Sequence, residues 1–144
     1  MTSNSKDMTK ELVIKSSTDN LATIRKFVET AAIESGFPKE IVNNISLSVD
    51  EACTNVIKHA YKYSPDRDIT VHTRFLKSKF TIQITDSGDK FNPALIPEPD
   101  LQEYYKQKKV GGLGMFLIKK LMDEVQYNTL SGNQNQVILV KYLT

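Results

Sequence analysis

Four of the six glycines in this chain fall in two short segments, Asp86-Ser87-Gly88-Asp89-Lys90-Phe91 and Gly111-Gly112-Leu113-Gly114-Met115. Each segment sits at a seam. The first ends the alternating run Phe80-Thr81-Ile82-Gln83-Ile84-Thr85, whose period of two marks a strand with one buried face. The second opens the apolar run Met115 to Met122, which reads as a helix. Glycine lets the backbone approach a ligand closely, and the free N–H groups of a helix start attract phosphate. An acidic residue at a strand end together with a glycine-rich helix start points to a nucleotide site.

The rest of the chain is read around these two seams. Residues 1–10 form a flexible, polar N-terminus, with a short first strand at Leu12-Val13-Ile14-Lys15. Leu21, Ile24, Phe27, Val28, Ala31 and Ala32 recur at spacings of three and four, so a helix is expected from Leu21 to Ser35. Gly36 stops it and Pro38 opens the next, which runs from Lys39 to Tyr61. In that long helix Ile41, Ile45, Val49, Ala52, Val56 and Ala60 form one stripe, widened by Leu47, Cys53 and Ile57. Strands at 69–75 and 80–85 make an antiparallel hairpin across Lys77-Ser78-Lys79. Residues 92–110 break every pattern and carry three prolines, as a functional lid would. Strands at 125–130 and 137–142 close the chain around the turn Ser131-Gly132-Asn133. The fold class expected is α+β, a two-layer sandwich whose mostly antiparallel, mixed sheet carries helices on one face, in a single domain spanning 11–144.

Composition narrows the function classes. With 144 residues, 40% hydrophobic and 25% charged, the chain can bury a core. A net charge of +2 with dispersed Lys and Arg does not suggest nucleic acid. No apolar run approaches the roughly 20 residues that span a bilayer, and the N-terminus has no secretory apolar stretch. One cysteine, Cys53, excludes an internal disulfide and suits a reducing cytoplasm. His59 and His72 have no partners at metal-ligand spacing, no catalytic Ser-His-Asp or Cys-His grouping is evident, and neither a P-loop nor a dinucleotide fingerprint is present.

Glu51 and Asn55 lie four apart on one helix face. They are either a solvated pair or, given the apolar positions around them, a general base and a carboxamide ligand for Mg²⁺. Asp86 is either turn chemistry at a strand end or the acceptor for the exocyclic amine of adenine, with Gly88 making room for the base. Gly111, Gly112 and Gly114 either cap the lid or cradle phosphates. Lys106, Lys108 and Lys109 are a solvated cluster from which one lysine could reach a phosphate.

Together these segments resemble the Bergerat-fold ATPases, the superfamily of gyrase, heat-shock protein 90 and histidine kinases. The motifs are Glu51-Ala52-Cys53-Thr54-Asn55, then Asp86-Ser87-Gly88-Asp89-Lys90-Phe91-Asn92-Pro93, then Gly111-Gly112-Leu113-Gly114-Met115. Val49 to Tyr61, and Gly112-Leu113-Gly114 with Leu121-Met122-Asp123-Glu124-Val125, resemble one branch more closely. That branch is the anti-sigma factor serine-protein kinases of bacterial partner switching, and the likeness covers about residues 11 to 143. Lys90 replaces the superfamily's usual second glycine, which is normal for that branch.

The resemblance implies an ATP- and Mg²⁺-dependent serine/threonine kinase in which Glu51 is the general base and Asn55 holds Mg²⁺. It further implies that Asp86 and Gly88 bind adenine, that Gly112 and Gly114 hold the phosphates of ATP or ADP under the lid, and that Asn55, Phe91, Gly111, Leu113 and Met115 also belong to the nucleotide site. The implied partners are an anti-sigma-factor antagonist as substrate, a sigma factor, and a second copy of the chain, in the bacterial cytoplasm, with no nucleic acid or membrane. Partner contacts are expected on the exposed face of the first strand and helix, with Arg25 among them. A non-catalytic, nucleotide-dependent binding module is the alternative of a different class, and an ATPase fragment is a third.

Overall fold

The computed structural model describes residues 7–90 and 114–144, with side chains from Ile118 onward in the second stretch. Two helices follow the first strand: β1 (Met8–Lys15), α1 (Leu21–Glu34) and α2 (Lys39–Asn55), the last continued by a π-helical turn over Val56–Ala60. The hairpin β2 (Asp68–Leu76) and β3 (Lys79–Asp86) comes next, and the second described stretch holds α3 (Gly114–Leu121), β4 (Glu124–Leu130) and β5 (Gln134–Tyr142). Among the described residues the five strands form one sheet in the order β1-β2-β3-β5-β4. Every neighbouring pair is antiparallel, so no parallel pair is found there to make the sheet mixed.

Alternation decides what the sheet buries. Ile69 and Val71 on β2, Phe80, Ile82 and Ile84 on β3, and Val137 and Leu139 on β5 all point inward and are buried. Against them lie Ile24, Val28, Ala31 and Ala32 of α1, Val42, Ile45, Val49, Ala52 and Cys53 of α2, and Ile118 of α3. Phe80 packs on Phe37 from the α1–α2 connection, ring centroids 5.8 Å apart. The hairpin turns on Lys77 and Ser78, both at positive φ (52° and 64°), the two-residue geometry that matches the twist of the strands it joins.

Three expectations are corrected. The first strand begins at Met8, inside the stretch read as a flexible tail, because polar residues serve an edge strand as well as apolar ones do. There Lys10 reaches across to pair with Glu34 of α1. Leu47 does not widen the buried stripe of α2 and is 42% exposed. It stands two residues from both Ile45 and Val49, about 200° round the helix from each. The helix expected to run to Tyr61 changes character after Asn55. Tyr61 N–H bonds the carbonyl of Val56, five residues back. Among the described residues, no helix is long and apolar enough to cross a membrane.

Candidate nucleotide-binding site

The inward face of the sheet turns polar on a single rung. Continuing the alternation of Phe80, Ile82 and Ile84 by two residues brings Asp86 inward. Continuing Leu139 and Val137 backward brings Asn135 inward, and the register pairs these two residues. The core ends there, and a cleft of about 410 Å³ begins. Asp86 and Asn135 line it from the sheet, Asn55, Ala52 and Val56 from the helix, and Lys90 and Tyr127 from its sides.

Asp86 is only 3% exposed. Burial pushes its carboxyl above the ordinary aspartate range, opposed by the amide of Asn135, the N–H of Gly88 and the charge of Arg67. Gly88 N–H donates to Asp86 Oδ1 at 2.9 Å and Asn135 Nδ2 donates to the same atom at 3.0 Å. No donor among the described residues bonds Oδ2.

The loop after Asp86 is held on all sides. The Tyr61 hydroxyl accepts from Ser87 N–H at 2.8 Å and donates to the carbonyl of Asp68 at 2.5 Å. Arg67 lies over the Tyr61 ring, 4.9 Å from its centroid, and donates to the carbonyl of Ser87 at 3.0 Å. The π turn supplies the remaining contact. Ser64 N–H bonds the carbonyl of Tyr61, and Pro65 has no N–H to offer, so the carbonyl of Ala60 accepts from Asp89 N–H at 2.7 Å. π turns of this kind recur at functional sites.

Gly88 is therefore needed for a different reason than room for a base. A Cβ there would stand 2.5 Å from the carbonyl oxygen of Ala60 and 2.7 Å from the Tyr61 ring. Gly88→Ala is expected to break the Asp89–Ala60 hydrogen bond and push the loop off the helix end. A loss of about 2–3 kcal/mol would follow, which lowers the melting temperature by about 10 °C. Thermal denaturation of the variant checks it, and an unchanged transition would disprove the contact.

Glu51 stands one helical turn before Asn55. It is half-buried and not among the residues lining the cleft wall. Burial first, and the neighbouring charge of Asp50 second, raise its carboxyl above the ordinary glutamate range. Asp50 is itself tied to Arg25 of α1 by an ion pair of 2.6 Å, so the Arg25 expected at a partner surface also braces the helix beside Glu51. Cys53 is fully buried among apolar neighbours, and burial pushes its thiol far up, consistent with a core role.

Gly114 opens α3, and the backbone of Met115 is helical. Phe91, the lid at 92–110, Gly111, Gly112 and Leu113 lie outside the described residues. Among the described residues no three His, Cys, Asp or Glu side chains gather as a metal cage.

Asn135, Tyr61 and Arg67 were not picked out in the sequence. Asn135 could have been found by extending the alternation of β5 one rung past Val137. Nothing local marks the other two.

A model of the histidine kinase-like ATPase domain matches residues 14–141, nearly the whole of the sheet and its helices. The chain belongs to this family. Within it, the chain is 34% identical over 116 residues to a serine-protein kinase RsbW of Listeria monocytogenes, covering 78% of this chain and 73% of the relative. RsbW of Bacillus pumilus is 33% identical over 129 residues, covering 85% and 79%. RsbW of Bacillus subtilis is 28% identical over 138 residues, covering 92% and 84%. The chain thus falls with the RsbW serine-protein kinases. A crystal structure of the RsbU and RsbW domains of a Mycobacterium tuberculosis protein shares the fold, with a TM-score of 0.67 at 13% identity. That likeness covers 94% of this chain and 32% of the crystallised chain, so this chain corresponds to about a third of the structure that holds both domains.

Proposed function

We propose that the chain is an ATP-dependent serine/threonine protein kinase of the partner-switching type, a single ATP-binding domain that includes the whole of β1 from Met8. It phosphorylates an anti-sigma-factor antagonist and, in its other state, holds a sigma factor. One observation carries the reading more than any other. A nearly inaccessible carboxylate, Asp86, ends a strand at a cleft whose opposite wall carries Asn55, with Glu51 one turn behind.

In this reading Asp86 accepts the exocyclic amine of adenine, and the cleft between β5 and α2 takes the base. Gly111, Gly112 and Gly114 with Leu113 and Met115 hold the phosphates, and Phe91 adjoins the base. Asn55, a neutral oxygen donor, suits a Mg²⁺ ion that takes most of its shell from phosphate and water. Bound there, Mg²⁺ would neutralise phosphate charge. Glu51 takes the proton of the substrate hydroxyl as its oxygen bonds to the γ-phosphorus and the bond to the β-phosphate bridge breaks, leaving a phosphoserine or phosphothreonine and ADP. The chain acts in the bacterial cytoplasm as a homodimer.

Purified protein incubated with γ-labelled ATP, Mg²⁺ and antagonist proteins encoded in the same genome tests this. Label is expected on a serine or threonine of one antagonist. Tight ATP binding with no antagonist labelled would instead favour the non-catalytic binding module.

A further inference from the structure

We infer that Asn135 is the positioning residue of the base pocket: its side-chain amide aims Asp86 into the cleft, keeps it an acceptor, and so sets the preference for a purine with an amine rather than a carbonyl at C6. The inference rests on the nucleotide reading above and goes beyond it to the residue that makes Asp86 selective.

The geometry is specific. Asn135 Nδ2 lies 3.0 Å from Asp86 Oδ1, 3.3 Å from the carbonyl of Gly88 and 3.2 Å from the carbonyl of Asp89. All three partners are acceptors, so the nitrogen and not the oxygen of the amide must face them. One side chain therefore bridges the strand end and two residues of the loop beyond it. With Gly88 N–H also on Oδ1, that oxygen is committed twice and the carboxylate cannot rotate freely. Oδ2, which no donor among the described residues bonds, is the oxygen we assign to the ligand.

A carboxylate held as an anion accepts from an amine, as on adenine, and repels a carbonyl, as on guanine. Once protonated it can do the reverse. The groups facing Asp86 show how much depends on Asn135. From the helix side come the neutral thiol of Cys53 and the phenol of Tyr61, whose hydroxyl is engaged by Ser87 and Asp68. From the turn before β2 comes Arg67, at the exposed surface, and Lys90 lines the cleft beyond. Asn135 supplies the largest of the effects that counter burial at Asp86. Removing it leaves a buried acid with less reason to ionise.

Affinities for ATP and GTP, each with Mg²⁺, measured on the full chain from pH 8 down to the acid limit of the folded state test the inference. Three variants are compared with wild type: Asn135→Leu, similar in size without a donor; Asn135→Thr, which keeps one hydroxyl donor and suits a strand; and Asp86→Asn. In Asn135→Leu, ATP affinity at neutral pH is expected to drop about tenfold, with the ATP-over-GTP ratio falling by a similar factor. The acid limb, where ATP binding weakens as Asp86 takes a proton, is expected to move to higher pH. Asn135→Thr should recover much of both. A change in folded fraction alone would scale both nucleotides equally, so the ratio and the limb separate aim from stability. If Asp86→Asn loses ATP while Asn135→Leu keeps the wild-type ratio and limb, the role of Asn135 is overturned and the nucleotide reading stands. If Asp86→Asn binds ATP as wild type does, both fall.

Discussion

Asp86→Asn is expected to lower ATP affinity by about a hundredfold or more while leaving the protein as stable as before, or more so. The two halves of this result come from one feature. An asparagine here can keep its amide oxygen toward Gly88 N–H and Asn135 Nδ2, so the internal hydrogen bonds survive. Its NH₂ then stands where the ligand's amine needs an acceptor, and two donors face each other across a dry contact. Leaving such a group unpaired costs about 1–3 kcal/mol, and losing a bond to an ionised acceptor adds a similar amount, which together reach two decades of affinity. Stability moves the other way. The folded-state pKa of Asp86 is raised by burial, so its contribution is favourable below the unfolded pKa and is lost as pH rises through the folded value. At neutral pH the wild type therefore holds a costly buried anion, and the neutral variant does not. The melting temperature at pH 7 should stay level or rise by a few degrees, about what 1 kcal/mol gives in a domain of this size. A variant that binds no ATP because it is unfolded would overturn this account, as would one that binds ATP normally.

The site is thus a place where the fold buries a costly carboxylate, and only part of its surroundings is legible in the sequence. The α1 and α2 helices announce themselves because Ile24, Val28, Ala31 and Ala32, and then Ile45, Val49, Ala52 and Val56, recur with the period of a buried stripe. The strands β2 and β3 do so by alternation, and Asp86 is legible because that alternation carries it inward. What escaped depends on contacts between distant segments. The π turn at Val56–Ala60 has no signature of its own. It goes with contacts between distant segments, the Tyr61 hydroxyl bonding Asp68 and Ser87 and the Ala60 carbonyl accepting from Asp89. The close approach of the Ala60 carbonyl to Gly88 is equally invisible in the sequence, since it joins a helix end to a loop 28 residues on. Asn135 lies outside the strand expected at 137–142 because polar residues at a strand start carry no apolar period. Only the register with Asp86 gives it a role.

Glu51→Gln is expected to reverse the Asp86→Asn phenotype: ATP binding retained within about twofold and phosphoryl transfer reduced by about a hundredfold to ten-thousandfold. Glutamine keeps the size and one oxygen of the side chain, and Glu51 is not part of the cleft wall where the base is proposed to sit. It cannot take a proton. The size of the loss follows from what a positioned base contributes when the rest of the machinery is charge neutralisation and alignment. The pH profile gives an independent check. Burial and the Asp50 charge raise the Glu51 pKa, bringing the base nearer to neutrality than an ordinary glutamate. Wild-type transfer should accordingly weaken as pH falls through that raised value. The weakening should start at a higher pH than a solvent-exposed glutamate would give, and the residual activity of Glu51→Gln should show no such limb. Because Asp50 contributes to the shift, Asp50→Asn should move the wild-type limb to lower pH. Single-turnover transfer from pre-bound ATP to the antagonist isolates this step from nucleotide affinity. Transfer by Glu51→Gln at the wild-type rate would remove Glu51 as the base. A flat wild-type profile beside an inactive variant would make Glu51 an aligning group instead, with the substrate hydroxyl losing its proton only after the phosphoryl group has moved.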